Sequence, residues 1–226
     1  MVLDKDILQL RDSLNSKGYC VLKNFFHPQL LTYFQITSDS LADLCKRENS
    51  HKAIVNYKDQ APLSTYKPMI GTHVSLLLTP LYSKIAQKNL LPSYSFFRRY
   101  HKGDILNKHK DRPACQYSVT THLNRSENKI WDFYVEDING QTQKIKSEPG
   151  DLILYKGEEV FHWRESLKYD TSDHMFLHFV DINEDKYQKE ILDGKSGEIN
   201  THQVFQLFTS GDYGYHYSLP AQNRFR

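Results

Sequence analysis

His109 and Asp111 stand two residues apart in the segment KHKDR, and at that spacing an imidazole and a carboxylate share one face of an extended chain. They can reach one ion together, but a third ligand must come from elsewhere. His162, in PGDLILYKGEEVFHWRE, is the candidate. Two neutral imidazoles and one carboxylate on one side of a metal leave the other side open, which suits non-haem Fe(II) and oxygen chemistry. In a chain with eleven histidines an H-x-D pair arises by chance with roughly even odds, so the surrounding pattern has to carry the assignment.

The elements that would position these residues follow from periodicity. Ile7, Leu10 and Leu14 fall at helical spacing between Asp4 and Lys17, with Gly18 as the C-terminal cap. Tyr19 to Lys23 reads as a short strand. A second helix starts at Pro28 and reaches about Lys46, burying Leu30, Leu31, Phe34, Leu41 and Leu44. Residues 47–69 are polar with two prolines and read as a surface loop. Thr79 and Pro80 read as N-cap and first position of a helix to about Lys88, preceded by a turn through Val74 to Leu78.

After Pro92 the texture changes to short aromatic and β-branched runs: Ser93 to Tyr100, Gln116 to Leu123, Lys129 to Glu136, Gln141 to Ile145, Leu152 to Tyr155, Glu159 to Arg164 and His174 to Asp181. Asn139-Gly140 predicts a tight hairpin, and Pro149-Gly150-Asp151 and Lys156-Gly157 mark further reversals. Many short strands at regular spacing imply a mainly β (α+β) chain, a double-stranded jelly roll with N-terminal helices packed on one side. We read one domain over residues 1–182, with helical support to 92 and the jelly-roll core from 93, followed by a polar C-terminal extension, 183–226.

A net charge of +2 argues against a broad basic surface for nucleic acid. Three cysteines, Cys20, Cys45 and Cys115, without C-x-x-C, suggest neither a disulfide framework nor a zinc knuckle, and point to a reducing cytoplasm. No run of about 18 apolar residues marks a membrane span.

Tyr100, Gly103, Leu106, His109 and Asp111 form Y-x-x-G-x-x-L-x-x-H-x-D, and His162 follows a P-G-D turn more than fifty residues on. Arg112 extends the pair to H-x-D-R, with Cys115, Ser118 and Thr120 beyond it, and His162 opens H-W-R-E, with F-L-H at Phe176 to His178. Over roughly Gly18 to Asp181 this pattern resembles the Fe(II)- and 2-oxoglutarate-dependent oxygenase superfamily, most closely its prolyl-4-hydroxylase-like branch. The resemblance implies that His109, Asp111 and His162 hold Fe(II), with 2-oxoglutarate as cosubstrate, O2 as oxidant and ascorbate as a compatible reductant. It also implies hydroxylation of a peptidyl residue or a small amino-acid-type metabolite, with release of succinate and CO2.

The distal carboxylate of 2-oxoglutarate needs a cation. Related enzymes carry Arg or Lys some nine to eleven residues after the second histidine, where this chain has Thr171, Ser172 and Asp173. Arg164 shares the strand face of His162 and is the first choice; Lys168, His174 and Arg98 are the others, and Tyr100 can add a hydroxyl bond. That substitution keeps two other readings open: a jelly-roll module that binds metal or ligand without turnover, and a cupin-like metalloenzyme that does not use 2-oxoglutarate.

Overall fold

The structure, a computed structural model, describes residues 4–45, 55–56 and 63–191. Helix α1 (Asp4–Lys17) leads through Gly18 into strand β1 (Tyr19–Leu22), and α2 spans Pro28–Cys45. Short strands β2 (Val55–Asn56) and β3 (Leu63–Tyr66) precede α3 (Met69–Ala86). Then come β4 (Leu90–His101), β5 (Ile105–His109), β6 (Tyr117–Arg125), β7 (Phe133–Glu136), β8 (Thr142–Ile145), β9 (Leu152–Lys156), β10 (Phe161–Arg164) and β11 (Thr171–Asp181), and the short helix α4 (Asp185–Gln188).

The strands form two antiparallel sheets, ordered β1-β9-β6-β11-β4-β3 and β2-β5-β10-β7-β8. Alternation along the larger sheet divides its labour. Phe97, Val119, Leu154, Met175, Leu177 and Phe179 join Leu14, Val74, Leu78, Tyr82 and Ile85 of the helices in one apolar core. The alternate residues, among them Tyr100, Ser118, Thr120, His122, Tyr155, His174 and His178, lie on the other face, between the sheets. Covered on both sides, β11 is buried along nearly its whole length, and histidines on its inner face are thereby removed from water.

Helix α3 departs from the sequence reading. It runs unbroken from Met69, with Pro80 inside it rather than at its start, and the residues read as a turn, Val74 to Leu78, are helical. Proline in a helix interior costs about 3 kcal/mol, but the buried stripe of Val74, Leu78, Tyr82 and Ile85 contributes about 1.5–3 kcal/mol per side chain and outweighs it. The hydroxyls of Ser75 and Thr79 donate to carbonyls one turn back, Gly71 O and Ser75 O, each at 2.9 Å.

The loop read over 47–69 is interrupted by β2 and β3; its residues 47–54 and 57–62 lie outside those described. β3 exists because it pairs with β4, Tyr66 opposite Phe96 and Leu63 opposite Arg99, a tertiary partnership that local polarity does not reveal. Polar β5 is a strand for the same reason. The Asn139-Gly140 hairpin forms as expected: Asp137 N donates to Gln141 O at 2.9 Å and Gly140 sits at φ +76°. Past Ile182, Tyr187 and Ile191 pack on Leu91 and Val180, so the first residues after the core are held to it; Phe205, Phe208 and the later tyrosines lie outside the described residues. No helix among the described residues is long and apolar enough to cross a membrane.

Ile85 is fully buried where α3 meets the sheet. Ile85→Ala should lower the unfolding free energy by about 2–5 kcal/mol, read as a reduced midpoint in urea with an unchanged far-ultraviolet spectrum at zero denaturant.

Candidate metal centre

Strands β5 and β10 are neighbours in register, with His109 directly opposite His162. Their rings lie 4.3 Å apart. His109 Nδ1 is 2.6 Å from Asn107 O and His162 Nδ1 is 3.2 Å from Val160 O. Each carbonyl can only accept, so each Nδ1 carries the proton and each Nε2 presents a lone pair.

Both lone pairs converge on one carboxylate oxygen: Asp111 Oδ1 is 3.6 Å from His109 Nε2 and 3.5 Å from His162 Nε2. Ligand atoms of the three residues all fall within 4.8 Å of one another. Ligands at about 2.1 Å on adjacent corners of one ion lie about 3 Å apart, so the observed spacing is a cradle open by a few tenths of an ångström. It is too long for good hydrogen bonds and fits a small divalent cation.

Asp111 reaches this position differently from the expectation. The strand stops at His109, and Asp111 is anchored by its N–H to Gly157 O at 2.8 Å, across the Lys156-Gly157 turn. The i, i+2 spacing holds; the second anchor is a turn rather than a ladder. Burial works to raise the Asp111 carboxyl, but the His162 and His109 imidazoles outweigh it and hold it well below the usual carboxylate range. Burial likewise opposes charge on His109, and Asp111 reverses the balance to leave it raised above 6.5. Both directions describe protonated imidazoles pairing with the carboxylate; with both rings neutral, a cation held between the three groups would take the place of those protons.

Farther along the same face of β10 lies Arg164, only 1% exposed. Its Nη1 donates to Trp131 O at 2.5 Å, its Nη2 lies 3.4 Å from His174 Nδ1, and the guanidinium sits 5.0 Å from the ring centres of Trp131 and Phe133. Burial pulls its pKa down to about 10, which leaves it charged at neutral pH. Among the described residues no carboxylate ion-pairs with it, and its Nε has no hydrogen-bond partner. Tyr100 Oη and Thr120 Oγ1, buried on the inner face of the other sheet, also lack partners. A buried charge without a counter-ion costs several kcal/mol, a cost that an anion seated beside Arg164 would offset.

Of the other residues singled out in the sequence, Arg98 is buried on the inner face over the rings of Phe96 and Tyr100, 4.9 and 5.6 Å from their centres. His174 is fully buried beside Arg164, with Nε2 2.8 Å from Ser172 Oγ. Lys168 is exposed in the loop after β10 and is not brought together with the others. Trp131 packs in the interior and donates to Glu165 O, whereas Trp163 stacks on Tyr134 at 5.4 Å on the opposite face. Sequence reasoning missed the surroundings of Asp111: Ser118, His178, Cys115 and Gly157 converge on it. The even spacing of Ser118 and Thr120 on one strand was the available signal for the serine; nothing marked Gly157 as more than a turn.

Asp111, Cys115 and His178 form a second group with converging ligand atoms. Burial first, then the nearby Asp111 charge, pushes the Cys115 thiol well above its ordinary value, and Ser118 Oγ bonds both Asp111 and His178. That cluster is a hydrogen-bonded support for the first.

No family model and no curated protein matches the sequence. The fold does have solved relatives. A prolyl-4-hydroxylase from Pseudomonas putida is 15% identical and superposes with a TM-score of 0.57 over 77% of this chain and 98% of that one. A prolyl hydroxylase from Trichoplax adhaerens, in complex with a hypoxia inducible factor oxygen degradation domain peptide fragment, is 15% identical, with a TM-score of 0.63 over 82% of this chain and 91% of its own. A 2OG-Fe(II) oxygenase family oxidoreductase from Burkholderia pseudomallei gives 12%, 0.60, 79% and 92%. The chain therefore has the double-stranded β-helix fold of the 2OG-Fe(II) oxygenases, as the sequence pattern implies.

The histidines behind Arg164 make the fold acid-sensitive. His122 and His174 stack 4.8 Å apart; burial, aided by the Arg164 charge, holds His122 down to about 3 and His174 well below 6.5. The unfolded chain takes up both protons near pH 6.5 and the folded chain does not. Their contribution to stability is thus complete above pH 6.5 and is lost as pH falls from there toward 3. Each adds at most about 1.4 kcal/mol per pH unit. In urea titrations between pH 7 and 4.5, His122→Gln should flatten the fall in unfolding free energy by up to one proton's worth.

Proposed function

We propose that this chain is an Fe(II)- and 2-oxoglutarate-dependent oxygenase that hydroxylates an unactivated C–H bond, with His109, Asp111 and His162 as metal ligands and Arg164 as the partner of the distal carboxylate of 2-oxoglutarate. The observation that supports this reading is the pairing, on one face of β10, of a metal-ligating geometry at His162 with a buried guanidinium two residues on that no carboxylate among the described residues neutralises. When bound, Fe(II) and 2-oxoglutarate supply the oxidising power: O2 is divided between substrate, which gains a hydroxyl group, and cosubstrate, which leaves as succinate and CO2.

The protein's residues bind, orient and exclude water. The Nδ1–H bonds to Asn107 O and Val160 O hold both imidazoles in the metal-binding tautomer. Tyr155 and Phe133 pack against the His162 ring, at 4.6 and 5.7 Å, and keep that flank dry. Arg164 offers its unpartnered Nε to a carboxylate that neutralises it, and the Tyr100 hydroxyl adds a second bond from the facing sheet. His174 fills the inner face of β11 next to Arg164 and receives one of its Nη2 hydrogens. Arg98 is the alternative cation and Lys168 is set aside by its exposure.

Arg164 answers the absence of a cation at 171–173, which was the strongest support for a non-catalytic module. A peptidyl residue or a small amino-acid-type metabolite is the proposed substrate; the peptide carried by the Trichoplax adhaerens neighbour supports the first. We place the activity in residues 1–182, with 183–226 as an extension, in the cytoplasm, where free Cys20 and Cys115 stay reduced.

Anaerobic protein given Fe(II) and 2-oxoglutarate should develop the weak visible charge-transfer band of the chelate, and should release succinate when air and ascorbate are admitted. His109→Ala should abolish both. Arg164→Met should retain Fe(II) binding while the 2-oxoglutarate Kd rises about 30-fold or more, the loss expected when a buried charge pair is broken. Unchanged 2-oxoglutarate affinity in Arg164→Met would move the assignment to Arg98, and a metal-bound wild type with neither band nor succinate would defeat the oxygenase reading.

A further inference from the structure

The two oxygens of Asp111 are treated differently. Oδ1 faces both histidine Nε2 atoms. Oδ2 is taken by Ser118, whose Oγ lies 2.9 Å away and is itself fully buried. The same Oγ is 2.8 Å from His178 Nδ1. A hydroxyl has one proton, and an ionised carboxylate can only accept. Cys115 O is a second acceptor within reach at 3.3 Å, but Asp111 Oδ2 is nearer and charged, so the serine proton goes to it, and His178 carries its hydrogen on Nδ1 and donates it to a serine lone pair. The Tyr94 ring packs 4.5 Å from the His178 ring and holds it in place.

On the other flank the restraint is steric. A Cβ at Gly157 would lie 2.6 Å from Asp111 Oδ2 and 2.2 Å from Cys115 O, so only glycine lets the 156–157 turn pass this close. Its carbonyl in turn holds the Asp111 N–H. The carboxylate is fixed by a backbone bond, a hydroxyl bond and a wall of main chain.

We infer that Ser118, oriented by His178 and backed by Gly157, makes Asp111 a one-oxygen ligand and thereby keeps the open face of the metal available. This rests on the metal-centre reading above. A carboxylate binding through both oxygens would occupy a position on that face, where cosubstrate and O2 must fit. Ser118 and His178 are positioning residues, acting on the metal only through Asp111. With the hydroxyl removed, Oδ2 is a partly buried charged acceptor that has lost its donor, and the ion itself becomes its partner.

Mn(II) alone is the probe. It is loaded onto the full chain, bound and free ion are separated by electron paramagnetic resonance, and water-proton relaxivity per bound ion counts exchangeable waters. Ser118→Ala should bind Mn(II) at least as tightly as wild type, with relaxivity per bound ion lower by about a third, the loss of one water from the open face. Ser118→Thr, which keeps the hydroxyl, should restore the wild-type value. His178→Leu, which leaves Ser118 in place but unoriented, should fall between the two and serves also if Ser118→Ala does not fold. Unchanged relaxivity in both Ser118→Ala and His178→Leu overturns the inference while leaving the metal centre standing. A folded wild type that takes up no Mn(II) overturns the metal centre and the inference with it.

Discussion

The register of one strand pair governs this molecule. His109 meets His162 only because β5 and β10 align those two residues, and a slip of one position would send one imidazole to the opposite face. Alternation places Phe161 and Trp163 outside and His162 and Arg164 inside, so the same register aims the guanidinium into the barrel. The apolar cluster of Phe133, Val135, Ile153, Tyr155 and Val160 lies behind the centre, and Phe133 and Tyr155 pack against the His162 ring. Both sheets thus contribute to holding the centre: the smaller supplies the register, and the larger a packing surface for the His162 ring.

The interior is divided by charge. At one end, two imidazole lone pairs and a carboxylate create a site for a cation. Deeper in lies a permanently charged guanidinium surrounded by neutral groups: Trp131 O, two neutral histidines, and the unpartnered Tyr100 and Thr120 hydroxyls. Each end is unfavourable on its own in a water-poor setting. A ligand that is chelating at one end and anionic at the other relieves both, and this is the physical content of assigning a keto dicarboxylate to the barrel.

How much of this was legible in the sequence follows from what each feature depends on. Helix α1, the hairpin at Asn139-Gly140 and the core strands were readable because periodicity and turn chemistry are local. That His109, Asp111 and His162 come together was readable because an H-x-D pair with a distant histidine makes a spaced pattern, and that Arg164 points inward was readable because period-two alternation ties it to His162. Helix α3 was misread at Pro80, since the local penalty of proline is visible in sequence and the tertiary burial that overrides it is not. β3 escaped notice because its partner, not its composition, makes it a strand. Ser118 and Gly157 were not assigned roles at the site, because their importance consists in proximity to a carboxylate on another segment.

The position of the cation is itself explained by the neighbours of β11. Thr171, Ser172 and Asp173, where a basic residue was expected, pair with His101, Tyr100 and Arg99 of β4. Asp173 is committed to Arg99 through a 2.7 Å ion pair, and Ser172 supports the His174 imidazole. With one charge carried by β10, β11 presents neutral groups toward it, Ser172 and His174, and a further guanidinium at Ser172 would add to the like-charge repulsion between Arg164 and the buried Arg98 of β4. On the proposed assignment, the departure from the usual spacing is a relocation of the cation from one sheet to the other, with Arg98 of β4 as a second buried guanidinium on the inner face and β11 supplying the histidine beside Arg164.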